Sequence, residues 1–420
     1  MTRQFERPDD IYYGTDFWML NDKLSEDEIY FQMDEMYNKG TKAILVRTYS
    51  GLVSDYPGQE YKRFMKIIVD YATKLGMQVY LQAKYMPECV EELPEKYAMQ
   101  HLVAKKSDEV TSDDCILSKY DDFSICVVVK NTIVDLFNEE SADYYIKDSY
   151  EDMWSDFRQY FGNTVPSIWV DEPSVGRGNL PWPKDFKILF KKRWGYDIRP
   201  HLYKLWVEKD DYKKIRYQCR LLLQELLEDC YFKRLKKWCD KNNLKFSGHL
   251  LGEDNLKLQI RWSVACMPYY KYFDVPGIDI LTVHMEWKDE PVKQKPGDEL
   301  RDIQRLYTTP VQIMSAVKQA GNDDHVLCEM FGASTENMTF RNQKHLFDHL
   351  ASFGINHRSV HGIFYSLRGR RKRGYAPHIG YYQPYWYKYK DMYDYCARVS
   401  SFVRFGNTIP GLLVIHPLET

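Results

Sequence analysis

The 420-residue chain reads as an α/β protein, a (β/α)8 TIM barrel with an insertion after the third strand and a C-terminal helical layer. Three observations predict this. Short apolar runs alternate with amphipathic stretches from near residue 12 to near residue 365, and successive strand-then-helix units imply right-handed parallel crossovers. No break in composition divides that span, which favours one closed barrel over a doubly wound sheet. Polar residues collect at the carboxyl ends of the runs, where a parallel barrel carries its ligand site.

The elements follow in order. Phe17-Trp18-Met19-Leu20 is the first strand, and Ser25 to Lys39 has helical spacing, with Ser25 and Glu28 as a capping box and Gly40 as the stop. Ala43–Val46 is the second strand, Tyr61–Leu75 its helix and Gln78–Leu81 the third strand. Periodicity then breaks from about Glu88 to Val134, so this stretch is an insertion that shapes one wall of the cleft. A helix from about Ser141 to Phe161 leads to the fourth strand, Ser167–Val170, and a long helical region spans Pro183 to Asn242. Its stripe of Leu221 to Leu223, Leu226, Leu227 and Tyr231 reads as core. Lys245–Leu250, Ile278–Val283, Val326–Cys328 and Asn356–Phe364 are strands five to eight, and Tyr381–Phe405 is the last helical layer. The barrel is expected over residues 1–405, with the insertion at about 88–134. Residues 406–420 read as the start of a further β domain, because the run Gly411–Pro417 makes a lone strand that needs a partner.

Composition narrows the function. With 58 Lys plus Arg against 60 Asp plus Glu, the chain lacks the basic excess of a general polyanion binder, so no nucleic-acid partner is expected. The basic run Arg368-Gly369-Arg370-Arg371-Lys372-Arg373 reads as a solvated loop. Nine scattered cysteines without metal-finger spacing fit a reducing compartment, and Met1 to Asp10 carry no apolar leader, so the chain is expected in the cytoplasm and off the membrane. The 34 tyrosines and 10 tryptophans exceed what a core needs, and exposed aromatic faces suit sugar rings.

The chemistry centres on two glutamates. Glu172 follows Ile168-Trp169-Val170-Asp171, and Glu329 follows Val326-Leu327-Cys328. A carboxylate at the end of a buried strand is costly unless paired or used. Three strands apart in an eight-strand ring, two such groups face each other across the mouth, the minimum equipment for cleaving a glycosidic bond. Pro173 cannot continue the ladder and turns the chain out, so Glu172 is expected to point into the mouth and Asp171 to face away. Glu172 and Glu329 are therefore the candidate catalytic pair. Trp18, Asn21, Asp22, Arg47, Lys84, Asp171, His249, Glu253 and His361 are the candidate substrate-binding residues, with His284 and Glu286 at the sixth strand. His249, Glu253 and Asp254 match no established metal motif, so no metal ligands are assigned.

The segments Trp18–Asp22, Trp169–Pro173, Gly248–Asp254, Cys328–Ser334 and Tyr365–Arg373 together resemble the catalytic barrel of bacterial α-L-rhamnosidase-like glycoside hydrolases near family 106. The resemblance runs over nearly the whole chain. It implies hydrolysis of a terminal glycosidic bond in plant- or host-type oligosaccharides, inversion at the anomeric carbon, room for a calcium ion and β-rich accessory domains. Glu172 and Glu329 also occupy the strand-four and strand-seven positions of the clan A retaining glycosidases, which implies acid/base and nucleophile roles respectively. No cofactor is required by either mechanism. Three alternatives stay open: a clan A β-galactosidase-like enzyme, a catalytically silent carbohydrate-binding barrel, and a metal-dependent barrel hydrolase, which would want paired histidines at strand ends.

Overall fold

Side chains on a strand point alternately to opposite faces, and here that alternation separates the barrel interior from the layer beneath the helices. The computed structural model describes residues 5–85, 89–173, 175, 179–280, 304–322, 324–405 and 411–416. Its strands, in chain order, are β1 (Asp16–Leu20), β2 (Ala43–Thr48), β3 (Gln78–Gln82), β4 (Ala98–Lys106), β5 (Cys115–Tyr120), β6 (Phe123–Val134), β7 (Ser167–Asp171), β8 (Leu180–Pro181), β9 (Lys245–His249), β10 (Val275–Ile280), β11 (Leu327–Met330), β12 (His357–Val360) and β13 (Ile363–Phe364).

One sheet runs β12-β11-β10-β9-β7-β3-β2-β1-β13, with every neighbouring pair parallel. Its two ends are halves of one eighth strand, interrupted at His361 and Gly362. The first half pairs with β11 and the second with β1, which brings the barrel round on itself. Asn21 secures the seam: its carboxamide donates to the Ser366 carbonyl at 2.9 Å and accepts from the Ser366 amide at 2.8 Å.

Phe17, Met19, Leu45, Tyr80, Trp169 and Leu327 form the packed interior. Their neighbours in sequence, among them Trp18, Ile44, Val79, Ile168 and Cys328, face outward into the larger core under the helices. Burying each such side chain contributes roughly 1.5–3 kcal/mol, so the alternation fixes every strand's register. The helix Glu26–Lys39 starts at Ser25, whose hydroxyl accepts from the Glu28 amide, and ends at Gly40 in the left-handed region. Only half of the expected capping box forms, because the Glu28 carboxylate turns to Gln32 Nε2 at 2.7 Å.

The insertion supplies β4, β5 and β6 to a second sheet, ordered β5-β6-β4-β8 and antiparallel throughout, whose last strand comes from beyond β7. The two long helices expected from sequence are shorter in the structure. Glu139–Ile146 loosens into wider and tighter turns before β7, and the region after Pro183 divides into Phe186–Trp194, Tyr212–Leu227 and Lys233–Lys241 with irregular turns between. Helix Tyr389–Arg404 lies against the amino-terminal end of the barrel. There Arg358 sits 4.3 Å from the Tyr393 ring, and Asp16 accepts hydrogen bonds from Tyr393 and Thr41. Among the described residues, 411–416 make no ladder, and Leu412 to Ile415 are exposed. No described helix is long and apolar enough to cross a membrane.

Gly248 carries a φ of 129°, and a Cβ there would lie 2.0 Å from the Val170 carbonyl oxygen. Only glycine lets β9 approach β7 this closely. Gly248→Ala is expected to destabilise the fold by about 3 kcal/mol or more, since overpacking and backbone strain add. Urea denaturation checks this, and a midpoint unchanged from wild type would remove the close approach from the account.

Candidate active site

The inward-facing positions at the carboxyl ends of the strands are charged. Arg47 continues the inward series of Ala43 and Leu45 on β2, Asp171 that of Trp169 on β7, and Glu329 that of Leu327 on β11. His249 pairs in register with Asp171, and Asp279 with Glu329. His249 is wholly buried, and Nε2 donates to Glu329 Oε2 at 2.8 Å with Asp171 Oδ1 at 3.4 Å. Its Nδ1 faces the Leu250 carbonyl at 3.3 Å. Both ring nitrogens thus face acceptors, which the doubly protonated imidazolium satisfies. Burial opposes that charge, but the hydrogen bonds to Asp171 and Glu329 outweigh it and raise the His249 pKa well above its ordinary value. On its other side Asp171 forms an ion pair with Arg47. Burial works against ionisation of Asp171, and Arg47 with His249 overcomes it, holding the carboxyl down at about 2.

Asp171 therefore faces inward, contrary to the sequence expectation, because the last regular residue of β7 keeps the parity of Trp169. Glu172 lies just beyond the strand in the left-handed region, with φ 51°. Phe331, two residues past Glu329, has φ 80°. Non-glycine residues seldom adopt this conformation, and both strands that carry the candidate pair end in it. Burial pushes the Glu172 carboxyl up to about 7, and the negative charges of Asp171 and Glu329 push the same way. One acid with a raised pKa beside another with a lowered one is the division of labour that acid-base chemistry needs.

Beside this cluster opens a cleft of about 590 Å³, with Arg47, Lys84, Trp169 and Asp171 on its walls and Tyr49 and Tyr85 at its sides. Lys84 reaches it while paired with Asp148 at 3.2 Å. His361 sits at the end of β12, its ring 5.8 Å from Phe17, and burial lowers its pKa so that it stays neutral.

Four expected substrate contacts have other duties. Trp18 faces outward, is completely buried and donates from Nε1 to Gln32 at 2.9 Å; Trp169 is the tryptophan that lines the cleft. Asn21 spends its carboxamide on Ser366 at the barrel seam. Asp22 accepts from Lys23 N at 2.8 Å and pairs with Arg368 and Arg371, anchoring the basic loop that the sequence reads as free in solvent. Glu253 accepts from the Leu250 amide, the Asp279 amide and the Tyr270 hydroxyl, so it clamps the β9 loop to β10. Asp254 is likewise committed, to Arg305 at 2.8 Å and 2.9 Å. His284 and Glu286 lie outside the described residues.

Asp279 was missed by sequence reasoning, since Val-Pro-Gly-Ile-Asp-Ile shows no strand-end signal. It projects inward from β10, and burial together with the Glu329 charge raises its pKa well above the ordinary carboxylate range. Alternation from Val275 could have found it. Asp171, His249 and Glu329 bring potential ligand atoms within 4.8 Å of one another. These three atoms, one of them an imidazole nitrogen and with the Arg47 guanidinium alongside, fall short of the six to eight oxygen ligands that calcium takes.

No protein-family model and no curated protein sequence matches this chain. Solved structures do match in fold. A rhamnosidase from Novosphingobium sp. PP1Y superposes with a TM-score of 0.69 at 12% identity, covering 96% of this chain and 60% of that one. A β-galactosidase from the haloarchaeon Halorubrum lacusprofundi gives 0.53 at 10% identity over 93% of this chain and 57% of the other. A β-galactosidase from Marinomonas ef1 gives 0.53 at 9% over 93% and 59%. The chain thus spans about three fifths of the length of these proteins, and what it shares with them is the barrel.

An acid whose pKa is raised on folding binds more protons folded than unfolded between the two values. The stability this gives is full below about 4.5 and is lost as pH climbs through about 7. Glu172→Gln removes the burden of a buried charge, so the variant is expected to be more stable than wild type at pH 8 by roughly 1–3 kcal/mol and no more stable at pH 4.5. Thermal unfolding across that range measures it. Part of the wild-type slope persists in the variant, because burial also raises Glu253 to about 7. A variant less stable at pH 8 than at pH 4.5, relative to wild type, would refute the buried-acid account.

Proposed function

We propose that this chain is a glycoside hydrolase that cleaves a terminal glycosidic bond of an oligosaccharide, with α-L-rhamnosides as the first substrate class to test. The observation that carries this reading is the convergence of carboxyl groups at one barrel mouth: Glu172 just past β7, Asp171 paired with Arg47 and His249, and Glu329 held by the His249 N–H at 2.8 Å, with burial raising the Glu172 pKa while Arg47 and His249 lower that of Asp171. The likeness in fold to a rhamnosidase and to β-galactosidases supports it.

In this reading Glu172 gives its proton to the leaving glycosidic oxygen. Glu329, oriented by the His249 N–H, attacks the anomeric carbon or takes a proton from a water that does. His249 carries the positive charge that lets Asp171 and Glu329 share a buried site, and Arg47 completes the balance. Tyr85, half-buried at the side of the cleft, offers a ring to the sugar's C–H face, and Arg47 and Lys84 offer donors to its hydroxyls. No step needs a metal or an organic cofactor.

Glu172→Gln and Glu329→Gln are each expected to lower kcat on the responsive aryl glycoside by about 10² to 10⁴ while the protein stays folded. A panel of aryl α-L-rhamnoside, β-galactoside, β-glucoside and α-L-arabinoside identifies that substrate, and NMR of the first-formed anomer separates retention from inversion. Near-wild-type turnover in either variant would strike that residue from the mechanism.

A further inference from the structure

A second cleft, of about 520 Å³, adjoins the first and shares Tyr49 and Ser50 with it. Its far wall is the basic loop. Five of the six residues from Arg368 to Arg373 are cationic, and the four arginines divide into two groups. Arg368 and Arg371 pair with Asp22 at 2.9 Å and 3.0 Å, and Arg371 also donates to the Gly51 carbonyl at 2.7 Å and to that of Asn21. These bonds pin the loop to the ends of β1 and β2. Arg370 and Arg373 line the cleft, are exposed and form no ion pair with any described carboxylate. Like charges gathered on one concave wall repel one another, and the pinned backbone keeps them from spreading.

Deepening the glycosidase reading, on which it rests, we propose that the cleft formed by Tyr49, Arg370, Arg373 and Tyr375 is a subsite for an anionic saccharide unit, a uronate or a sulfated sugar, attached to the sugar being released. Two forked guanidinium groups suit a carboxylate or sulfate, and the two tyrosines provide faces for the ring that bears it. Continuity with the candidate active site is direct. Tyr49 follows Arg47 by two residues, and the Tyr375 ring lies 6.0 Å from that of His361. In the first cleft the cations are already paired, Arg47 with Asp171 and Lys84 with Asp148, so the anionic unit belongs in the neighbouring cleft, where Arg370 and Arg373 pair with no described carboxylate. A net charge of −2 for the whole chain makes this a local preference for acid and not general affinity for polyanions.

Calorimetric titration of the full chain tests the proposal with four probes: a galacturonate trisaccharide, its carboxyl-reduced neutral counterpart, a chondroitin sulfate tetrasaccharide and a single-stranded oligonucleotide. At least one acidic saccharide is expected to bind about tenfold more tightly than the neutral one. Arg370→Ala/Arg373→Ala is expected to remove about tenfold of that affinity, and Lys372→Ala, outside the cleft, to retain it. Equal binding of acidic and neutral saccharides, silence with every acidic saccharide, or an equal loss in Lys372→Ala overturns the subsite. So does tighter binding of the oligonucleotide than of any saccharide. Acidic saccharide held through Arg370 and Arg373 but never hydrolysed supports the subsite and counts against the hydrolase. Hydrolysis of neutral and acidic substrates alike, with equal affinity, does the reverse.

Discussion

The buried charge chain from Arg47 through Asp171 and His249 to Glu329 is the constraint on which the mouth of this barrel depends. Each member is costly to bury alone, and together they alternate in sign across four strands. Removing any one leaves an uncompensated charge in the interior. The chain also sets the electrostatic field in which Glu172 titrates, because burial and then the Asp171 charge are the main reasons its pKa is raised. Structure and chemistry are coupled here through a single balance of charge.

Much of the remaining architecture holds that balance in place. Strand parity delivers Arg47, Asp171, His249, Asp279 and Glu329 to the interior at one end, above a floor of Trp169, Phe17 and Leu327. Gly248 lets β9 come close enough to β7 for His249 to sit beside Asp171, and Glu253 ties the following loop to β10. At the opposite end Arg358, Asp16 and Tyr393 hold the C-terminal helix against the first and eighth strands. The seam between those strands is closed by Asn21 and Ser366. Polar residues on both ends of the barrel thus divide into those that fasten it and those that face the cleft.

That division explains which site residues were legible. Arg47, Lys84, His249 and His361 stand at strand ends and reach the mouth, as the pattern of apolar run followed by polar residue predicts. Asn21, Asp22 and Glu253 carry the same local signal, yet their hydrogen-bonding capacity is spent on Ser366, on the basic loop and on the β10 backbone. Nothing in a linear pattern distinguishes a carboxylate that awaits a ligand from one that already has three donors. Trp18 was misplaced for a simpler reason: it is one residue out of phase with Phe17 and Met19, which line the interior.

By itself the sequence determined the barrel, because apolar periodicity, glycine stops and strand-to-helix order are local properties that admit one arrangement of parallel units. It also located Glu172 and Glu329 at strand ends. The tertiary structure alone decided that Asp171 faces inward while Glu172 turns off the strand, that His249 bridges two carboxylates, and that the basic loop walls a cleft. Those outcomes depend on contacts between residues tens to hundreds of positions apart, and on how many partners each charge finds once water is excluded.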